Sequence, residues 1–198
     1  MLDENFATNH AELAGTAMGP SVYSHESRGI RFSTFPLETR RLSGTPDTVN
    51  ILLREPAQVV PGDRLWLEGE LRSWNNKTGV GNRLVLTVLA RELRPWDGPD
   101  EDRIQLTGAV CREPTYRVTP MGREICDVIL AVSRRYRRSD YIPVIAWGLQ
   151  ARQVAEAPVG ALLTVRGRLQ SREYSKVIDG ESQKRTAFEV SAADIVAL

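Results

Sequence analysis

An all-β chain made of two copies of one small barrel domain is what this 198-residue sequence predicts, on three observations. The first is an internal repeat. Shifted by 93 positions, Leu13 falls on Leu106, Gly15 on Gly108, Tyr23 on Tyr116, Gly29 on Gly122, Leu37 on Leu130, Arg41 on Arg134 and Asp47 on Asp140. After a five-residue gap Gly62, Gly69 and Leu71 fall on Gly160, Gly167 and Leu169, and the ends 87–94 and 189–196 match at a shift of 102. The second observation is alternation of apolar residues at period two, the pattern of half-buried strands. The third is that a single stretch of the second copy, 149–157, reads as helix, ended by Pro158 and Gly160.

The repeat sets the boundaries: a first copy over 1–93, a linker over 94–102 (RPWDGPDED) rich in Pro, Gly and acid, and a second copy over 103–198. In the second copy 103–111 alternates and opens the domain. Over 123–133, Cys126, Val128, Leu130 and Val132 share one face. In 141–148, Ile142, Val144 and Ala146 face one way, and Tyr141, Ile145 and Trp147 the other. Pro143 has no N–H to give a ladder, so this strand is expected at an edge or bulged there. The helix follows, then 161–174 with Leu163, Val165 and Leu169 inward, then 186–198. The paired glycines at 15, 108, 69 and 167 are expected to permit bulges or tight strand crossings.

Composition narrows the function. Apolar residues are 41% and charged residues 26%, which excludes collagen-like, disordered and disulfide-scaffold classes. No apolar run approaches the roughly 20 residues of a membrane span, and Met1–His10 is too polar for a secretory signal. Two cysteines, Cys111 and Cys126, fit a reducing cytoplasm and read as core thiols. The net charge of +1 hides an asymmetry. Residues 1–102 hold 11 basic and 15 acidic side chains, net −4, whereas 103–198 hold 15 and 10, net +5. Nearly all the basic residues are Arg, whose planar fork suits phosphate and stacks on flat rings, so a polyanion is expected to meet the second copy.

Three strands, a short helix and two strands is the order of an OB-fold, the five-stranded Greek-key barrel used for oligonucleotides. The expectation is therefore two tandem OB-folds, each with a short helix between strands 3 and 4. Residues 130–174 go further. The LA-x-S strand end at 130–133 is followed by an aromatic, a short loop and a strand ending in Trp147-Gly148. Ala155-Glu156 then stands in a helix, before Val165-Arg166-Gly167-Arg168-Leu169 and an aromatic. This run resembles the bacterial single-stranded DNA-binding protein family. The resemblance covers most of 103–198 and reaches 11–93 through the repeat alone.

The resemblance implies base stacking at Tyr136, Tyr141, Trp147 and Tyr174. The residues support the same reading: Tyr141 and Trp147 lie opposite the core face of their strand, and Arg166, Arg168, Arg172 and Tyr174 share the non-core face of theirs. Phosphate contacts are expected from Arg134, Arg135, Arg137 and Arg138 in the loop, from Arg166, Arg168 and Arg172, and from Lys176. Stacking gives affinity with weak sequence preference. At the four stacking positions the first copy has Ser43, Thr48, Arg54 and Asn76, so it reads as a degenerate partner in which Arg54 and Arg72 remain for phosphate. Trp66 and Trp74 fall out of register.

Blander readings stand beside these. An Arg-rich loop taken alone is usually solvated, and Tyr116, matched by Tyr23, reads as structural. Two Cys and two distant His (His10, His25) make no zinc site, no G-x-x-x-x-G-K-[ST] phosphate loop is present, and no nucleophile-base arrangement stands out. The expectation is thus a binder and not an enzyme, without metal or cofactor. It would take single-stranded DNA in replication, recombination or repair, in the cytoplasm of a bacterium or encoded by a phage or mobile element. A homodimer would give the four barrels common in the family. The usual acidic recruiting tail has no counterpart beyond Asp194–Leu198, which makes a tail-less relative such as primosomal replication protein N a second template. The rival function is an OB-fold protein–protein adaptor in a replication or restart complex.

Overall fold

The structure, a computed structural model, describes residues 8–77, 82–134, 136–178 and 181–198. The first copy supplies β1 (Asn9–Ala17), β2 (Val22–Ser27), β3 (Ile30–Arg40), β4 (Pro46–Arg54), β5 (Arg64–Asn75) and β6 (Leu84–Pro95). The second supplies β7 (Glu101–Val110), β8 (Thr115–Val118), β9 (Glu124–Arg134), β10 (Arg138–Trp147), α1 (Gly148–Ala155), β11 (Leu162–Ile178) and β12 (Glu181–Ala197). Among the described residues no helix is long and apolar enough to cross a membrane.

Each copy forms a five-stranded barrel. In the first, the order β2-β3-β4-β6-β5-β1 is closed by β3–β1. In the second, β7-β11-β12-β10-β9-β8 is closed by β7–β9. The Greek-key return shows in the one parallel pair of each barrel, β4–β6 and β10–β12. Leu13, Phe35, Leu37, Ile51, Leu67, Leu71 and Val88 fill the first core. Leu106, Val110, Leu130, Ile142, Val165, Leu169 and Val190 fill the second. Cys126 is fully buried in that second core, where desolvation pushes its thiol pKa up. β2 and β8, missed by the sequence reading, extend β3 and β9 as short exposed strands.

Burial follows the repeat almost residue for residue: β1 and β7 carry the same alternation, and so do β3 and β9. Of the repeated glycines, Gly167 lies where the β11–β12 register shifts and Ala193 becomes the extra residue. A Cβ at Gly167 would stand 2.2 Å from the Ser191 carbonyl oxygen, and one at Gly69 2.1 Å from that of Leu89, so only glycine fits either crossing.

One expectation is corrected. The helix forms in the second copy only. Between β4 and β5 the first copy has turns and no helix, because the stretch is shorter and holds Pro56 and Pro61, which interrupt helical hydrogen bonding. In the second copy α1 buries Ala151 and Val154.

β10 also differs from a plain edge strand. It pairs with β9 along its whole length in unbroken register, Pro143 opposite Ile129, and with β12 at Val144 and Ile145 only. Pro143 is tolerated because it stands just outside the stretch that β12 covers. The segment between Pro95 and Glu101 is tied to the first barrel. Arg64 donates to Gly98 O at 2.7 Å and pairs with Asp100, the Arg40 amide donates to Asp100 Oδ2 at 2.8 Å, and Arg94 stacks over Trp66 and Trp96 at 4.3 and 4.9 Å.

By packing the chain divides into two units. One holds His10–Arg72 and Leu86–Arg103. The other takes in Ser73–Val85 with Ile104–Leu198, so the end of β5 and the start of β6 belong with the second barrel.

Candidate nucleic-acid interface

The outer face of the second barrel is organised by β11 and β12. Their register sets Arg168 opposite Ser191, Gln170 opposite Glu189 and Arg172 opposite Ala187. Side chains of this face run as a chain of polar contacts. Arg168 donates to Gln170 Oε1 at 3.3 Å, Gln170 Nε2 donates to the buried Glu189 carboxylate at 3.0 Å, and that carboxylate pairs with Arg172 at 3.5 Å. The chain holds the two arginines extended along the face instead of leaving them to wander in solvent. At one end Trp147 Nε1 donates to Ser191 Oγ at 3.2 Å, which pins the indole beside Arg168 while 38% of the residue stays exposed. At the other end stands Tyr174, its hydroxyl donating to Asn82 Oδ1 at 3.1 Å.

β10 and its turn carry the remaining aromatics. Along β10 the alternation turns Asp140, Ile142, Val144 and Ala146 inward, and Tyr141 and Trp147 outward. Six residues of strand set them roughly 20 Å apart, and Tyr141 is 50% exposed. Gly148, at φ +55°, lets the chain turn into α1 directly after Trp147. The β9–β10 hairpin closes with Tyr136 and Arg137 at φ +64° and +54°. Side chains other than Gly rarely adopt this region, and such outliers concentrate at functional positions. Tyr136 is 76% exposed at the tip of this turn.

The expected phosphate ligands differ in their surroundings. Arg137 and Arg138 are exposed and make no ion pair among the described residues. Arg166 is exposed, 3.9 Å from Asp194 and 3.4 Å from Gln105. Arg134 is engaged: Nη1 lies 3.2 Å from Oδ1 of Asp140, which is fully buried. The first barrel repeats this pair, with Arg41 donating from Nε and Nη2 to Asp47 at 2.6 and 2.7 Å. The pair is thus common to both barrels. Arg135 and the side chain of Lys176 lie outside the described residues.

Tyr116 sits apart, on β8. Its hydroxyl donates to Glu124 at 2.6 Å, and Arg152 Nε donates to the same carboxylate at 2.8 Å. The joint ties β8, β9 and α1 together, which gives Tyr116 the structural role expected of it. The bonds from Arg152 and then from Tyr116 hold the Glu124 carboxyl below its ordinary range, and the bond to Glu124 raises the Tyr116 phenol. On the first barrel, outward positions matching Tyr141 and Trp147 hold Thr48 and Arg54, both exposed.

Trp74, set aside in the sequence as out of register, is half-exposed on β5, directly after Ser73. The Ser73 amide donates to Asp140 Oδ1 at 2.8 Å, and Ser73 Oγ accepts from the Tyr141 amide at 2.7 Å. The one available signal was parity: Trp74 stands two residues from Asn76, the counterpart of Tyr174, on the same face of its strand.

Comparison with known proteins gives the same answer for the second copy. The profile described as "Single-strand binding protein family" matches residues 101–198. A protein of Clostridium tetani named "Single-stranded DNA-binding protein" is 34% identical over 101 residues, 48% of this chain and 68% of that one. "Single-stranded DNA-binding protein 2" of Clostridium acetobutylicum is 32% identical over 97 residues, 46% of this chain and 71% of its own. Among solved structures, the wild-type single-stranded DNA binding protein from Thermus aquaticus superposes with a TM-score of 0.76 at 22% identity, over 96% of this chain and 93% of that one. That likeness extends the shared fold to both copies. On the residues of its second barrel and these relatives, the chain belongs to the single-strand binding protein family.

Proposed function

We propose that this chain binds single-stranded DNA with little sequence preference, and does so in replication, recombination or repair. One observation carries the reading: the outer stripe of the second barrel, where Trp147 and Tyr174 bracket Arg168 and Arg172 held in place by Gln170 and Glu189. Flat rings alternating with oriented guanidinium groups suit a strand that offers bases and phosphates in turn. In this reading Tyr136, Tyr141, Trp147 and Tyr174 stack bases. Arg137, Arg138, Arg166, Arg168 and Arg172 meet phosphates, and Arg134 keeps the hairpin in shape through Asp140. No bond is made or broken. A homodimer presenting four barrels belongs to the same proposal, and light scattering at twice the chain mass is its test.

The binding test is a titration with oligo(dT) of increasing length, followed by fluorescence anisotropy of the labelled strand at two salt concentrations. Wild type is expected to bind more weakly at higher salt, as counterion release requires. Trp147→Ala is expected to lose roughly five- to hundredfold in affinity, the range for one stacked base. Tight binding untouched by Trp147→Ala would move the site elsewhere on the barrel. Absence of binding to any strand would overturn the function.

A further inference from the structure

Where β5 ends and just before β6 begins, the first copy belongs to the unit of the second barrel, and both legs of this hairpin reach a residue assigned to stacking. On one leg Ser73 Oγ accepts from the Tyr141 amide, and the Ser73 amide donates to the buried Asp140 carboxylate. On the other leg Asn82 accepts from the Tyr174 hydroxyl and donates from Nδ2 to the Thr186 carbonyl. These four contacts fix both legs of the hairpin against the strands that carry Tyr141 and Tyr174.

Trp74 follows Ser73 on this hairpin. In β5, Leu67 and Leu71 point into the core, so Trp74, three positions on, points outward, on the face equivalent to the one where β11 carries Arg172 and Tyr174. Half of its surface is open. Trp66, by contrast, is buried under Arg94 with its indole N–H donated to Glu12. Trp74 thus offers an open flat ring directly after the residue that holds the Tyr141 backbone, and an open ring is what stacking on a base requires.

We infer that Trp74 is a fifth base-stacking residue, supplied by the otherwise degenerate first copy and held at the binding face by the Ser73 contacts to Asp140 and Tyr141. The inference rests on the single-strand reading above. It assigns the first copy a definite contribution: an aromatic carried by its hairpin, where its own barrel face has Thr48 and Arg54.

The test uses the full chain and oligo(dT). Trp74→Ala is expected to weaken binding roughly five- to hundredfold, with Trp74→Phe close to wild type and Trp66→Phe without effect. Fluorescence gives an independent readout. In Trp147→Phe, oligo(dT) still quenches tryptophan emission, and adding Trp74→Phe removes that quench. Circular dichroism melts confirm that each variant is folded. If wild type binds and Trp147→Ala weakens it, but Trp74→Ala binds like wild type and Trp147→Phe alone abolishes the quench, the inference fails and the single-strand reading stands. If wild type binds no strand, both fall together.

Discussion

The two barrels share a scaffold and differ on the outside. Both have the same strand order and parallel closing pair. Both need glycine where β5 and β11 cross a neighbouring carbonyl, and both bury an aspartate against an arginine at the third-strand hairpin. Outside, Tyr141 and Trp147 in one stand for Thr48 and Arg54 in the other, and α1 stands for a proline-bearing turn. The lesson is about reading repeats. What recurs in both copies holds the barrel together, and what appears in one copy alone is where the proposed binding face has its aromatics.

The largest effect is expected from erasing that difference. Tyr141→Thr with Trp147→Arg gives the second barrel the first barrel's residues, and removing two stacking partners should lower affinity for oligo(dT) by roughly hundredfold or more, read by anisotropy. A smaller loss would mean that the barrels differ less in function than in composition.

Next comes the shared element. Asp140→Ala and Asp47→Ala each strip a buried carboxylate from its arginine, and each is expected to cost about 3 kcal/mol in denaturant unfolding. Similar costs in the two barrels support a purely structural pair. A large loss of DNA affinity in Asp140→Ala at conditions where the protein is fully folded would show that Arg134 or Ser73 does more than hold the hairpin.

A subtler contrast lies in salt dependence. Arg168→Ala should flatten the slope of log K against log salt by about 0.7, the share of one phosphate contact on a single strand. Arg54→Ala, on the first barrel, sharpens the comparison: an unchanged slope confines phosphate contact to the second barrel, and an equal change extends it to both.

The smallest effect concerns the joint at Glu124, whose partner in the repeat, Arg31, instead lies over Tyr23 at 5.1 Å. Because Arg152 and Tyr116 lower the Glu124 carboxyl pKa, its ionised form adds stability at neutral pH. That contribution is lost as the pH falls through the lowered pKa, beneath the ordinary glutamate range. Glu124→Gln should therefore be slightly less stable than wild type at pH 7, with the gap narrowing as the solution is acidified, by urea unfolding.

Much of this was legible in the residues. Period-two alternation placed Leu163, Val165 and Leu169 inside and Arg168, Arg172 and Tyr174 outside, because a strand's face is a local property of its sequence. Partners across strands are not local. Nothing near Arg134 in sequence distinguishes it from Arg137 and Arg138. Its bond to Asp140 becomes visible only once the hairpin register is known, although its repetition as Arg41 and Asp47 was a clue. The ladder through Gln170 and Glu189 required the β11–β12 register, including the shift at Gly167. Trp74 was hidden for a further reason: the strand carrying it belongs to one copy by sequence, whereas its tip packs in the unit of the other. The missing helix of the first copy is signalled by Pro56 and Pro61, which an expectation carried across by the repeat did not take into account.

The sparse pairing of β10 with β12 has a consequence for solubility. From Arg138 to Pro143 the side of β10 away from β9 has no ladder partner among the described residues, and an open strand edge is a template on which further chains can add. Here the template is spoiled at intervals: Pro143 has no N–H to offer, Arg138 brings charge, and the Tyr141 amide is occupied by Ser73. Ser73→Ala combined with Pro143→Val would restore two donors to that edge, and the expected outcome is concentration-dependent self-association at an otherwise unchanged fold.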